Sequence, residues 1–268
     1  MRLIKTILLT MALFSFSGLF AQKVQPSTVL ICYGKVNPDQ IKGYKYVILE
    51  SEHYTAFDVK LIKENNESVI GYISLGEVSG SRFYYDALKG NTLGKNEIWG
   101  SYYLNLRDET TQNVLISFVD KMVKKGFDGL FLDTVDTFAE WGPYPNMGPD
   151  LVNLLRLIKD KYPKIHLMQN AGLSLISKSA KYIDSIAIES VATNYSFDNS
   201  EYRMHRWHEF YKRVEELQEI RKKYQLPIIL IEYADSEKLY KKVKQQIAPL
   251  KWDYFIGTIG LQSIPKFK

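Results

Sequence analysis

Cysteine is all but missing from this chain: Cys32 is the single one in 268 residues. That excludes an internal disulfide and a metal site built on a set of cysteines. Cys32 sits in the apolar run Val29-Leu30-Ile31-Cys32-Tyr33 and reads as a buried strand residue. Histidine is scarce too, with four. His205 and His208 lie three apart on an expected helix, but His208-Glu209-Phe210-Tyr211-Lys212 lacks the second histidine of the HExxH zinc pattern, so both read as surface residues. No Gly-x-Ser-x-Gly elbow, phosphate loop or dinucleotide fingerprint occurs, which argues against esterase, kinase and dehydrogenase chemistry. A charge excess is also lacking: 35 Lys and Arg stand against 30 Asp and Glu, a formal +5. Without a dense basic stripe interleaved with aromatics, a nucleic-acid partner is not expected.

Long apolar runs are absent except at the N-terminus. Ile7 to Phe20 is interrupted only by Thr, Ser and Gly, follows Arg2 and Lys5, and precedes the small Ala21. These 14 residues are short for a membrane span and suit a signal peptide. Residues 1–22 are therefore expected to be an export signal, with an uncleaved anchor as the alternative. The mature protein is expected to be secreted or periplasmic, without stable membrane insertion. Losing Arg2 and Lys5 takes the charge from +5 to +3.

What is present is a regular alternation. Hydrophobic residues make up 46% and charged residues 24%, enough apolar material for a sizeable core and against disorder. Strand-like runs occur at Val29–Tyr33, Tyr46–Glu50, Val69–Ser74, Gly129–Asp133, His166–Asn170, Ser185–Glu189, Ile228–Glu232 and Tyr254–Thr258. Helical patterns lie between them, such as Gln112–Lys125, Leu151–Lys161, Leu173–Tyr182, Met204–Tyr224 and Ser236–Ile247. Near-continuous apolar strands indicate a parallel sheet covered on both faces. Eight such units predict a closed (β/α)8 TIM barrel of the α/β class, one domain over residues 23–268. Tyr102–Leu106 is a ninth strand candidate, assigned to an elaborated loop.

Acids and amides gather where the strands end: Glu50, Glu77, Asp133 with Asp136, Asn170, Glu189, and Glu232 with Tyr233. A barrel delivers all its strand tips to one rim, where active sites sit. Asp133 and Glu189, from the fourth and sixth strands, are expected to face one substrate. A carboxyl pair suits glycoside cleavage: one group protonates the leaving oxygen while the other attacks the anomeric carbon or activates water. Neighbouring carboxylates also raise one another's proton affinity, which keeps one of them an acid. Other readings stand beside this one. Asp133 could simply cap the next helix, Asp133 and Asp136 could hold a divalent cation, and Glu77 could only salt-bridge. Nineteen tyrosines add rings that suit sugar stacking. Trp141 and Tyr144, in the loop after the fourth strand, either stack on sugars or plug the barrel top.

The segments Gly71-Tyr72-Ile73-Ser74-Leu75-Gly76-Glu77, Gly126-Phe127-Asp128-Gly129-Leu130-Phe131-Leu132-Asp133-Thr134-Val135-Asp136 and Asp184-Ser185-Ile186-Ala187-Ile188-Glu189 together resemble glycoside hydrolase family 114. That family includes endo-α-1,4-polygalactosaminidases. The resemblance runs from about Tyr33 to Pro265 and implies a TIM-barrel hydrolase of galactosamine-containing polysaccharide; no cofactor or metal is expected. It implies Asp133 as nucleophile and Glu189 as acid/base, with Tyr33, Glu77, Asp136 and Asn170 lining the subsites. Glu50, Trp141, Tyr144, Glu232 and Tyr233 complete the expected substrate-binding set. A partly deacetylated galactosamine polymer is cationic, and Glu50, Glu52, Glu77, Asp133, Asp136, Glu189, Glu232 and Asp235 would supply an acidic groove for it. A hydrolase of neutral α-galactosides and a non-catalytic carbohydrate-binding barrel are the alternatives.

Overall fold

The computed structural model describes residues 27–267; the expected signal peptide, residues 1–22, lies outside them. Eight parallel strands form one sheet: β1 (Val29–Cys32), β2 (Tyr46–Leu49), β3 (Ser68–Ser74), β4 (Gly129–Asp133), β5 (His166–Asn170), β6 (Ser185–Glu189), β7 (Ile228–Tyr233) and β8 (Asp253–Gly257). Their order in space is their order in sequence, the topology of a (β/α)8 barrel. The ring closes through side chains. Thr28 Oγ1 accepts from Tyr254 N at 2.9 Å and Ser27 Oγ accepts from Ile256 N at 3.1 Å, so two hydroxyls join the first strand to the last.

The strands are buried on both faces because helices cover the outside. The main helices are α1 (Ala56–Lys63), α2 (Glu109–Lys125), α3 (Gly148–Lys161), α4 (Trp207–Tyr224) and α5 (Glu237–Ile247). Inside the ring, Ile31, Ile48, Phe131, Met168, Ile231 and Phe255 share the inward parity and fill the lumen below the rim. No helix among the described residues is long and apolar enough to cross a membrane.

The segment Gly126-Phe127-Asp128-Gly129 has a structural task. Asp108 caps the start of α2 through Thr111 N at 2.7 Å, and Gly126 ends it at φ 94, a left-handed conformation that suits glycine. Phe127 is then buried, and Asp128 Oδ2 accepts from Val69 N at 2.9 Å, which fixes β4 beside β3. A Cβ on Gly129 would meet His166 O at 2.6 Å, so β4 and β5 approach closely there. Asp184 repeats the device before β6 by accepting from Leu167 N at 2.8 Å. The motif thus sets the register that delivers Asp133.

Two helix expectations change. Leu173–Tyr182 is a 3-10 turn at Leu173–Leu175 followed by a short helix at Ile176–Ser179, because Gly172 enters at φ 65 and packs against Val135. The helix expected from Met204 starts at Trp207, since Met204 pairs with Thr193 in a hairpin, Thr193–Ser196 with Glu201–Met204. The helix after β2, α1, starts with a capping box in which Thr55 and Asp58 satisfy each other's backbone N–H. After β3 the chain makes an excursion, a three-stranded antiparallel sheet of Glu77–Ser79, Thr92–Asn96 and Ser101–Leu104. Its last strand is the ninth strand candidate, two residues shorter than expected at its C-terminal end.

Candidate active site

Side chains alternate across a strand, so register decides which tip residues face the lumen. Ser74 pairs with Asp133, Asn170 with Ala187, and Glu189 with Ile231. Tyr72, Asp133, Asn170, Glu189 and Tyr233 therefore share the inward face, and Tyr33 follows β1 with the same parity. Their hydrogen bonds join them into one network. Tyr72 Oη donates to Asp133 Oδ2 at 2.7 Å, and Asn170 Nδ2 donates to Asp133 Oδ1 at 2.9 Å. The same nitrogen donates to Glu189 Oε1 at 2.7 Å, and Tyr233 Oη donates to Glu189 Oε2 at 2.5 Å. The Tyr33 ring lies 4.5 Å from the Tyr72 ring, centroid to centroid.

The orientation of Asn170 follows from charge: turning its amide over would aim an oxygen at two carboxylates. With the two N–H bonds of one amide about 120° apart, distances of 2.9 and 2.7 Å put Asp133 Oδ1 and Glu189 Oε1 about 4.9 Å apart, and at most 5.6 Å. Asn170 Oδ1 is buried with no hydrogen-bond partner.

Backbone geometry aims these tips. Thr134, Ala171 and Ser190, each directly after Asp133, Asn170 and Glu189, are left-handed at φ 57, 55 and 57. Residues other than glycine rarely take this conformation, and it clusters at functional sites. Thr134 is held there by its hydroxyl, which accepts from Gly76 N at 2.8 Å and lies 2.8 Å from Ser74 Oγ. Asp133 does not cap the following turn, because its oxygens are taken by Tyr72 and Asn170.

Burial pushes the Glu189 carboxyl above its ordinary range, and the Asp133 and Asp136 charges add to this; hydrogen bonds from Tyr233 and Asn170 oppose it. Burial and nearby negative charge also push the Tyr33, Tyr72 and Tyr233 phenols well up, so they stay protonated donors. Asp136 is raised by its partly enclosed position and by Asp133, although its surface remains exposed.

The remaining expected site residues divide. Glu50 is buried and pairs with Arg82 Nη2 at 2.6 Å, and Glu52 takes Arg82 Nη1 at 2.7 Å. Glu77 is buried, and its carboxylate accepts from Asn96 at 3.0 Å and from Ser101, so it anchors the excursion. Tyr144 donates to Leu93 O at 2.7 Å and packs its ring on Tyr103, tying the loop after β4 to the excursion. Trp141 stands 91% exposed. Glu232 does not reach the lumen. Strand parity turns it outward between Ile231 and Tyr233, it is 0% exposed, and it accepts from Val191 N, Ala192 N, Thr193 N and Thr193 Oγ1. It clamps the segment that follows Glu189. Burial pushes its carboxyl up to about 7, against the pull of those four donors. Sequence reasoning assigned no role to Tyr72 and passed over Arg82; parity with Ser74 on β3 was the available signal for Tyr72.

The sequence matches the model of glycoside-hydrolase family GH114 over residues 20–259. Among solved structures, the glycoside hydrolase domain of PelA from Pseudomonas aeruginosa is similar at a TM-score of 0.78 with 22% identity, covering 88% of this chain and 96% of that one. Ega3 from Aspergillus fumigatus, solved in complex with galactosamine, is similar at a TM-score of 0.70 with 15% identity, covering 92% and 98%. An uncharacterised protein of Methanocaldococcus jannaschii is 34% identical over 98 residues, so the match spans 34% of this chain and only 28% of that protein.

Proposed function

The chain belongs to glycoside-hydrolase family GH114, and from that premise we propose that it cleaves α-1,4-linked galactosamine-containing polysaccharide, endo-acting and with retention at the anomeric carbon. The observation that carries the retaining reading is the spacing of Asp133 and Glu189, at most 5.6 Å between facing oxygens. Retaining enzymes hold their carboxyl groups about 5–5.5 Å apart, and inverting ones about 6.5–9.5 Å, to admit a water.

In this mechanism an Asp133 oxygen attacks the anomeric carbon and forms a bond to it. The bond from that carbon to the leaving oxygen breaks, and Glu189 gives its proton to that oxygen. A water then gives a proton to Glu189 as its oxygen bonds the anomeric carbon, and the sugar–Asp133 bond breaks. Glu189 suits the first step because burial keeps it protonated to higher pH than an ordinary glutamate. Tyr72 and Asn170 hold the two Asp133 oxygens in place through both steps.

The galactosamine assignment is supported by the family and by the likeness to Ega3, whose structure holds galactosamine. Residues 23–268 would form one catalytic domain. Action outside the cytoplasm is supported by Arg2, Lys5 and the apolar run to Phe20. The test is digestion of a panel of partly deacetylated galactosamine, glucosamine and neutral galactose polymers, with products read by mass. A ladder of galactosamine oligomers, formed less readily as salt rises, is expected for a cationic substrate. Salt-independent cleavage of the neutral galactan, or binding without any cleavage, contradicts the reading.

A further inference from the structure

We propose that Arg82 is a positioning residue for Asp133, acting through the ring of Tyr72; this rests on Asp133 being the reacting group proposed above. Arg82 comes from the excursion after β3, not from a barrel strand. Its guanidinium lies 5.6 Å from the centre of the Tyr72 ring. Its two terminal nitrogens take Glu50 at 2.6 Å and Glu52 at 2.7 Å, both from the segment after β2. The side chain is 18% exposed, so this fork is partly shielded from water. Two carboxylates thus fix one planar cation against one phenol ring, a geometry that a planar fork meets and a point charge does not.

Tyr72 transmits the effect. Its ring is packed by Tyr33 at 4.5 Å and by Phe131 at 6.3 Å, and its hydroxyl donates to Asp133 Oδ2 at 2.7 Å. A tilt of that ring moves the hydroxyl away from Asp133, and the carboxylate then keeps only the Asn170 bond on its other oxygen. The charges at this point are those of Glu50 and Glu52 on Arg82 and of Asp133 on the Tyr72 hydroxyl, with Glu189 acting on Tyr33; the Tyr33, Tyr72 and Tyr233 phenols stay protonated and neutral. Arg82 brings positive charge into that acidic surround. The excursion thereby does more than extend the rim: it reaches back to steady a residue on β3.

The test compares R82Q, R82K, Y72F and the double variant R82Q/Y72F, with Tyr 13Cζ labels in the full chain. R82Q is expected to lower kcat by about 10- to 50-fold while KM changes by less than about 3-fold, the pattern of lost orientation rather than lost binding. R82K is expected to recover part of kcat. In the Y72F background, R82Q should cost less than about 2-fold more, because the route to Asp133 is already cut. The Tyr72 13Cζ resonance, assigned by its loss in Y72F, should move in R82Q. Additive losses in the double variant, or an unmoved Tyr72 resonance, overturn the proposal. Should R82Q unfold because Glu50 loses its cation, R82M/E50Q/E52Q removes the stranded charges and carries the same two readouts. If the wild-type chain cleaves no polymer while the Tyr72 resonance still moves, the Arg82–Tyr72 link stands and the reading of function falls.

Discussion

Asp133 and Glu189 share one donor: a single amide nitrogen, Asn170 Nδ2, lies 2.9 Å from an oxygen of the first and 2.7 Å from an oxygen of the second. The two carboxyl groups sit on β4 and β6, with β5 between them, so their Cα atoms are about 10 Å apart at ordinary strand spacing. Inward parity and the longer reach of glutamate bring the oxygens together over the lumen. The strand between them supplies the group that sets their separation.

Asp133→Asn and Glu189→Gln should each lower kcat by about 1,000-fold or more with little change in melting temperature, since each keeps shape and removes ionisation. Steady-state kinetics beside thermal melting checks this. A variant that keeps most of its activity shows that its residue is neither nucleophile nor acid.

The Tyr233 hydroxyl stabilises the charged form of Glu189 and so opposes the upward push of burial. Tyr233→Phe removes that opposition, and Glu189 then holds its proton to higher pH. Where Glu189 must be protonated for the first step, the alkaline limb of kcat/KM should move to higher pH. A limb that stays still, or moves to lower pH, contradicts the assignment of Glu189 as the acid.

Glu232 accepts four hydrogen bonds in a site with no exposed surface. Glu232→Gln turns an amide N–H₂ toward donors that require an acceptor. It should cost about 2–3 kcal/mol, or roughly 4–12 °C in melting temperature for a chain of this size. Urea and thermal unfolding at pH 8 read the effect. Wild-type stability in this variant would mean that the clamp on the 191–193 segment contributes nothing.

Much of this architecture was legible in the sequence. Apolar runs gave away the eight barrel strands, and the acids at their ends marked the rim. Glu232 and Tyr233, both expected to bind substrate, are neighbours on one strand and cannot both face the lumen; the outward turn of Glu232 follows from the inward register of Ile231 and Tyr233. Tyr72 lies inside the segment Gly71 to Glu77, in which only Glu77 stands out as a strand-end acid. Arg82 left no periodic signal, because it belongs to an irregular excursion and acquires its role only from the two carboxylates and the ring that meet it in space. Leu173–Tyr182 has helical composition, but the left-handed pair Ala171 and Gly172 that follows Asn170 leaves room for only a short helix.

The central claim is a double displacement through a covalent intermediate on Asp133, and the configuration of the first product tests it most directly. Proton NMR during the first minutes of digestion of an α-1,4-linked galactosamine polymer, faster than mutarotation, reads the anomeric proton as it forms. The α-anomer should appear first and the β-anomer only later, as the sugar equilibrates. A β-anomer formed first would contradict the account, even with Asp133 and Glu189 both essential.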